Sequence, residues 1–463
     1  VLGNPAAATV GLVFTLMMIL IFISSVRRSP FGWLIISVEY FYILGLGVYP
    51  LLASLGVVSI PETLSGYESI NGKLELATFV HIFLYGVGAL IGYFFARRFA
   101  KKVSKKVVLA AIANKLNNYT LFYLVSGFSI FISVLYFSFV GLETALLNAN
   151  ASRGGNFLGF VGLEQFLFLK TLARVGVFSM VFIPFIIVDG RRVFSTFLIV
   201  TTVAISLYIE TVSRGTILEM IGVFLILYLS LKRGVGSILL AGIISAFLIF
   251  IFIYGKTFVA GLSAYLFLGM DFELVRHGAN GDDSAYFFSQ FGHLAYSIDA
   301  GVRNFFTYGP ILPEDILLSP IGVVPSSLFS SVGLDFLSYQ LVSPTDRLSC
   351  INTAYFTDSS ECSFPPYFTG YSAYFLPFVG AFLFGFARFW FYSVIENCWL
   401  EFKVNPEFLW FPVFLFIVAN ELMLVISNTI SFAVFVSLVL WFLLKMKKVL
   451  LSVRTKLRSR FPV

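Results

Sequence analysis

AAATVGLVFTLMMILIFISSVRR, residues 6–28, decides the fold class. No charged side chain lies between Ala6 and Val26, and Arg27 and Arg28 close the run. About 20 apolar residues carry a helix across a bilayer, so this stretch reads as a membrane span with one basic end. It lacks a basic flank on its N-terminal side and is read as a span rather than a cleaved signal peptide. The pattern recurs along the chain. Eleven such runs are found, at about 6–26, 31–56, 76–96, 119–140, 166–188, 193–212, 215–231, 235–255, 371–392, 408–426 and 430–446.

Composition agrees with that reading. Of 463 residues, 59% are apolar and 12% are charged, with mean hydropathy +0.93. A soluble domain is about 25% charged, so this chain could not cover a water-facing surface of its size. Soluble enzymes, nucleic-acid-binding domains and disordered regulators are excluded. So is an outer-membrane barrel, whose alternating strands give a much weaker hydropathy signal. The expected fold is an all-α polytopic membrane protein of about 11–12 transmembrane helices, with one large extracytoplasmic loop containing an amphipathic helix. The 56 Phe residues are assigned mainly to lipid-facing and interhelical packing.

The basic residues set the expected orientation. Of 31 Lys and Arg, 22 fall on one set of run ends, among them Arg27, Arg28, Arg97, Arg98, Lys101, Lys102, Lys105, Lys106, Arg388 and the tail beyond Lys445. That side is read as cytoplasmic, with the N-terminus outside and the C-terminus inside. The chain then divides into a bundle over 1–255, a large outside loop over 256–370, further spans over 371–446 and a basic cytoplasmic tail over 447–463. The loop has eleven acidic and four basic residues, a formal charge of −7. The total charge of +7 is therefore a topology signal, and no nucleic-acid partner is expected.

Within the loop, Phe287, Phe291, Leu294, Ile298, Val302 and Phe305 recur at helical spacing. They predict an amphipathic helix over 283–306, with Ser289, His293, Ser297 and Asn304 off the apolar stripe. Pro310, Pro313, Pro320 and Pro325 predict extended turns after it. Cys350 and Cys362 have eleven residues between them in this outside segment. An oxidising compartment favours a disulfide there, which would contribute about 2–3 kcal/mol.

Charge inside or just below the outer surface is costly and usually faces a cavity or a partner. Lys170 and Arg174, four residues apart, share one face of the fifth run. Arg153 lies in Ser152-Arg153-Gly154-Gly155 and Arg214 in Ser213-Arg214-Gly215. Arg276 and Arg303 are further outside cations. Pairing within the chain, such as Arg174 with Glu164 or Arg214 with Glu210, would use some of them. Together they favour a cationic pocket for a lipid-linked phosphate or diphosphate, since Arg pairs bidentately with phosphate. Candidate bases are His277, His293, Asp282 and Asp283; His titrates near neutral pH without help. Tyr367 and Tyr371 lie in an aromatic segment placed to stack on sugar rings. His81, Glu39, Glu219 and Glu421 lie in apolar runs and read chiefly as interhelical contacts. No CxxC, Cys/His or calcium-loop spacing is present, so no metal and no cofactor is expected.

The layout resembles that of Wzy-type polymerases of lipid-linked oligosaccharide repeat units. The resemblance rests on many spans, a large loop before the last few, and the outward Ser213-Arg214-Gly215 at a helix end. The loop from His293 through Arg303 and Gly309 to Pro325 is also similar. So is Pro365-Pro366-Tyr367-Phe368-Thr369-Gly370-Tyr371. Where the family often has an acid after the glycine, this chain has Tyr371. The resemblance implies a metal-independent glycosyltransferase in the bacterial cytoplasmic membrane, acting on the periplasmic face in O-antigen or capsule-type polysaccharide synthesis. Its implied partners are undecaprenyl-diphosphate-linked oligosaccharides, membrane lipids and a chain-length regulator protein. It maps Arg153, Arg214 and Arg303 onto the family's outward arginines. An O-antigen ligase is disfavoured because His277 and His293 are followed by Gly278 and Leu294 rather than Asn or Ser. A flippase or transporter would be expected to show paired halves and broken midplane helices, and no duplication is found.

Overall fold

The computed structural model describes residues 5–29, 31–55, 74–113, 118–141, 193–209, 283–311, 348–356 and 367–402, with isolated positions at 169–182, 243, 265 and 411–416. Among these residues every regular element is helical. α1 is Pro5–Arg28, α2 Phe31–Tyr42 and α3 Tyr49–Ser54, the last two joined by a π-helical segment at Ile43–Val48. α4 is Leu76–Leu90, continued by a π-helical segment at Ile91–Phe95 and then by α5, Arg97–Ala113. α6 is Asn118–Val140, α7 Val193–Ile209, α8 Asp283–Tyr308, α9 Leu348–Phe356, α10 Tyr367–Phe375 and α11 Val379–Phe402.

Four stretches among the described residues are long and apolar enough to cross a membrane: Pro5–Arg28, Leu76–Phe95, Phe122–Val140 and Val379–Phe402. Over the described residues the protein is thus all-α, and four such helices make it a multi-pass membrane protein. The runs at 215–231 and 430–446, with most of 166–188, 235–255 and 408–426, lie outside the described residues.

α1 shows why these are spans. Its buried residues, Ala7, Gly11, Phe14, Met18, Ile21, Phe22 and Ser25, follow helical spacing. The opposite face exposes Leu12, Leu16, Ile19, Leu20 and Ile23. A helix apolar on both its packed and its bare face belongs in lipid. Many of the phenylalanines have the same fate: Phe83, Phe131, Phe139, Phe194 and Phe197 are exposed.

The centre of the bundle is the contact of α4 with α11. Small residues let the two backbones meet, as expected where lipid removes the hydrophobic drive between helices. A Cβ on Gly88 would strike the Phe382 carbonyl oxygen, one on Gly92 the Phe386 oxygen, and one on Gly385 the Tyr85 oxygen. Gly385→Ala should therefore lower stability by about 1–3 kcal/mol. Gly127→Ala, on an exposed helical position with nothing within 4 Å, should be neutral or slightly stabilising. Parallel thermal melts of the two variants check this.

Two expectations about the last described span need correction. The run at 371–392 is not one helix. α10 and α11 are separated by Leu376–Phe378, where Pro377 interrupts the helix and Phe378 adopts φ +67°. Arg388, counted above among the basic ends, lies mid-span with 1% exposure. Its Nε donates to Glu39 Oε1 at 2.7 Å, and Tyr392 donates to the same oxygen at 2.7 Å. The guanidinium also lies over the Tyr42 ring, 4.2 Å from its centroid. This leaves 21 of the 31 bases on the basic ends. Glu39 is thus the interhelical contact its setting suggested. Two turns on, Glu396 accepts from Ser25, from Tyr93 at 2.9 Å and from Arg28 at 3.2 Å, which ties α11 to α1 and to the π-helical segment after α4 at the basic end.

Candidate functional site

α8 comes from the long acidic segment, yet it is built into the bundle. Phe291 to Val302 are buried on every side. Two glycines create the seat. Gly45, in the π-helical segment, admits the Phe291 carbonyl and the Leu294 side chain, and Gly301 admits Ala373 and Tyr374 of α10. His293, Ser297 and Asn304, which lie off the apolar stripe, are interior as well. A buried polar group needs a hydrogen-bond partner, and Ser297 finds one far away in the chain while Asn304 finds one on its own helix. Asn352 of α9 donates to Ser297 at 3.1 Å, and Tyr374 donates to Asn352 at 2.9 Å. Asn304 donates to the Ala300 carbonyl at 3.0 Å.

Asp299 is the hub of this seam. Its carboxylate accepts from Thr78 at 2.5 Å, from the Glu75 backbone N–H at 2.8 Å and from Arg303 Nε at 2.6 Å. Arg303 also pairs with Glu75 at 3.3 Å. One guanidinium therefore faces two carboxylates. This arrangement ties α8 to the start of α4, and it engages Arg303 rather than presenting it to an anion.

His81 organises the neighbouring corner. Its Nε2 lies 3.2 Å from the Thr369 carbonyl and 3.1 Å from Ser372 Oγ, and its Nδ1 accepts from the Phe378 N–H at 3.4 Å. A donor Nε2 and an acceptor Nδ1 satisfy all three contacts with one tautomer. His81 thus fixes the left-handed Phe378 between α10 and α11.

The remaining candidates divide clearly. His293 is 3% exposed, and burial pushes its imidazole down to about 4. It is neutral at pH 7 and a weak base there. Tyr371 is fully buried among Tyr296, Tyr374, Leu348 and Tyr49, away from any surface a sugar ring could stack on in this conformation. Asp283 opens α8 and Tyr367 opens α10; their side chains lie outside the description. Arg153, Lys170, Arg174, Arg214, Arg276, His277, Asp282 and Cys362 also lie outside the described residues. Cys350 is disulfide-bonded and Cys398 is a buried free thiol. Among the described residues no group of three or more His, Cys, Asp or Glu could hold a metal ion.

Sequence reasoning did not assemble the Asp299 hub. Asp299 and Arg303 stand four residues apart in the sequence, but Glu75 and Thr78 are more than 200 residues away. Comparison with known proteins adds no partner or activity: no family model, curated protein or solved structure matches this chain.

The buried imidazole has a pH consequence. A histidine held below its unfolded value of about 6.5 contributes stability above that pH and loses it as pH falls toward about 4. Full protonation of His293 would cost about 3 kcal/mol. Melting temperatures from pH 7 to pH 4 should fall more steeply for the wild type than for His293→Leu.

Proposed function

We propose that this chain is a polymerase of polyprenyl-diphosphate-linked oligosaccharide repeat units, of the Wzy type its layout resembles. It would work in the bacterial cytoplasmic membrane, with the site at the bundle end opposite the basic ends. What most supports this reading is the burial of α8: part of the long acidic segment forms one body with the spans. A transferase handling lipid-linked sugars needs such a junction, because its substrates have one end in lipid and the other in water.

The chemistry needs few groups. A sugar hydroxyl of the acceptor unit attacks the anomeric carbon of the donor glycan. The new C–O bond forms as the bond to the lipid diphosphate breaks, and the diphosphate leaves with the electron pair. The hydroxyl proton passes to a base. Fixed cations stabilise the charge gathering on the diphosphate. In this proposal Arg153 and Arg214 hold the diphosphate, with Lys170, Arg174 and Arg276 completing the cationic wall. Arg303 acts through Asp299 and Glu75 to seat α8. With His293 buried and neutral, Asp282 or Asp283 is the preferred base, and His277 is the second choice.

The test is genetic. In a strain lacking its polymerase, Arg153→Ala and Arg214→Ala should each abolish long glycan chains at matched expression. Lysine at the same positions should restore only part of the ladder, because it cannot make the bidentate contact. Normal ladders from both alanine variants would remove these residues from the site.

A further inference from the structure

The cations of helix α5 mark one side of the membrane, and the face that carries them has a further use. It carries Arg97, Arg98, Lys101, Lys102, Lys105 and Lys106, with no acidic residue between Arg97 and Ala113. One face, Ala100, Ser104 and Val108, is buried, and the helix packs on α11. The opposite face is bare. It exposes Arg98, Lys101, Lys102, Lys105 and Lys106, together with Phe99 and Leu109 at 68% and 67%; Phe95, just before the helix, is 78% exposed. At about 100° per residue, Phe95, Phe99, Lys102, Lys106 and Leu109 fall on one strip, with Arg98, Lys101 and Lys105 beside it. None of these five cations has a carboxylate partner among the described residues. Arg97 is engaged differently, donating to Ser24 and lying over the Tyr93 ring.

Two features identify what covers this face. First, α5 begins directly after the span Leu76–Phe95, which puts its first turns at headgroup level. Second, cations alternate with bare phenyl and leucyl side chains. Water alone suits the lysines and leaves the rings costly. A bilayer surface accommodates both: the rings enter the acyl boundary while the ammonium groups reach the phosphates.

We propose that the exposed face of α5 is a docking surface for anionic phospholipid headgroups. The lysines supply the preference for phosphate-bearing, net-negative lipid. Phe95, Phe99 and Leu109 supply depth without charge preference. The inference rests on the span Leu76–Phe95 and the exposure of α5, and it is independent of the polymerase reading.

The experiment uses the full chain in mixed micelles of equal phosphatidylcholine and phosphatidylglycerol, with retained lipid counted by native mass spectrometry. Wild-type protein should retain phosphatidylglycerol over phosphatidylcholine by roughly tenfold at low salt. Raising salt to about 0.5 M should remove most of that preference. The variant Lys101→Gln/Lys102→Gln/Lys105→Gln/Lys106→Gln should bind both lipids about equally while keeping its melting temperature, because all four side chains are exposed. Phe99→Ser should lower total retained lipid and leave the ratio unchanged. Equal retention by the wild type, a salt-insensitive preference, or an unchanged ratio in the quadruple variant would each overturn the proposal. If the quadruple variant misfolds, Lys102→Gln and Lys106→Gln made singly decide the matter: each should lower the preference for phosphatidylglycerol, and an unchanged ratio in both would overturn the proposal.

Discussion

Arg388→Leu should destabilise the bundle by about 3–5 kcal/mol, the cost of leaving one member of a buried ion pair without its partner. Among the described residues the buried Glu39 carboxylate would then keep the Tyr392 hydroxyl alone. Glu39→Leu should cost a similar amount, leaving the guanidinium over the Tyr42 ring with no carboxylate partner among the described residues. The double variant Glu39→Leu/Arg388→Met should recover most of the loss, because well-packed apolar groups replace buried ion pairs at little cost. Thermal or denaturant unfolding of the four proteins in detergent supplies the cycle. Additive losses in the double variant would mean that the two residues do not act as a pair.

Asp299→Ala should be nearly as damaging, at about 3 kcal/mol, for a different reason. It strands three donors at once: Thr78 Oγ1, the Glu75 N–H and Arg303 Nε. Unpaired buried donors carry the full cost of their desolvation. Glu75→Gln tests the same hub from its exposed side. Glu75 is 45% exposed, so its bond to Arg303 is screened and its loss should cost under about 1 kcal/mol. Under the polymerase reading, Asp299→Ala should also shorten the glycan ladder at matched expression, because α8 loses its anchor on α4, while Glu75→Gln should leave the ladder nearly normal. Equal melting temperatures for Asp299→Ala and the wild type would show that the hub contributes nothing.

How much of this was legible beforehand depended on the distance over which partners act. α1 could be read whole, because an uncharged apolar run and its basic close are local facts. The helix α8 was visible from its apolar spacing, but its surroundings were not. Periodicity separates stripes along one helix, and it places His293, Ser297 and Asn304 off the apolar stripe without saying what they meet. Asn352, Tyr374 and Thr78 supply or border the seam that buries them, and nothing near 283–308 announces those partners. Arg388 was misplaced for a related reason. A break at Pro377 shifts the last described span to Val379–Phe402, and that moves Arg388 from an end to the middle. A lone acid in one apolar run and a lone base in another was the available signal for the Glu39–Arg388 pair. Of the cations read as one pocket, Arg153, Lys170, Arg174, Arg214 and Arg276 lie outside the described residues, and Arg303 pairs with Asp299 and Glu75.

The most direct test of the proposed activity is a reaction with defined components. The purified full chain, reconstituted in vesicles, would be given a polyprenyl-diphosphate-linked repeat unit and no metal or nucleotide. The account predicts a ladder of lipid-linked glycans growing by whole repeat units, with free polyprenyl diphosphate released in step with each bond formed. Unchanged single units, or units merely moved from one leaflet to the other, would contradict it.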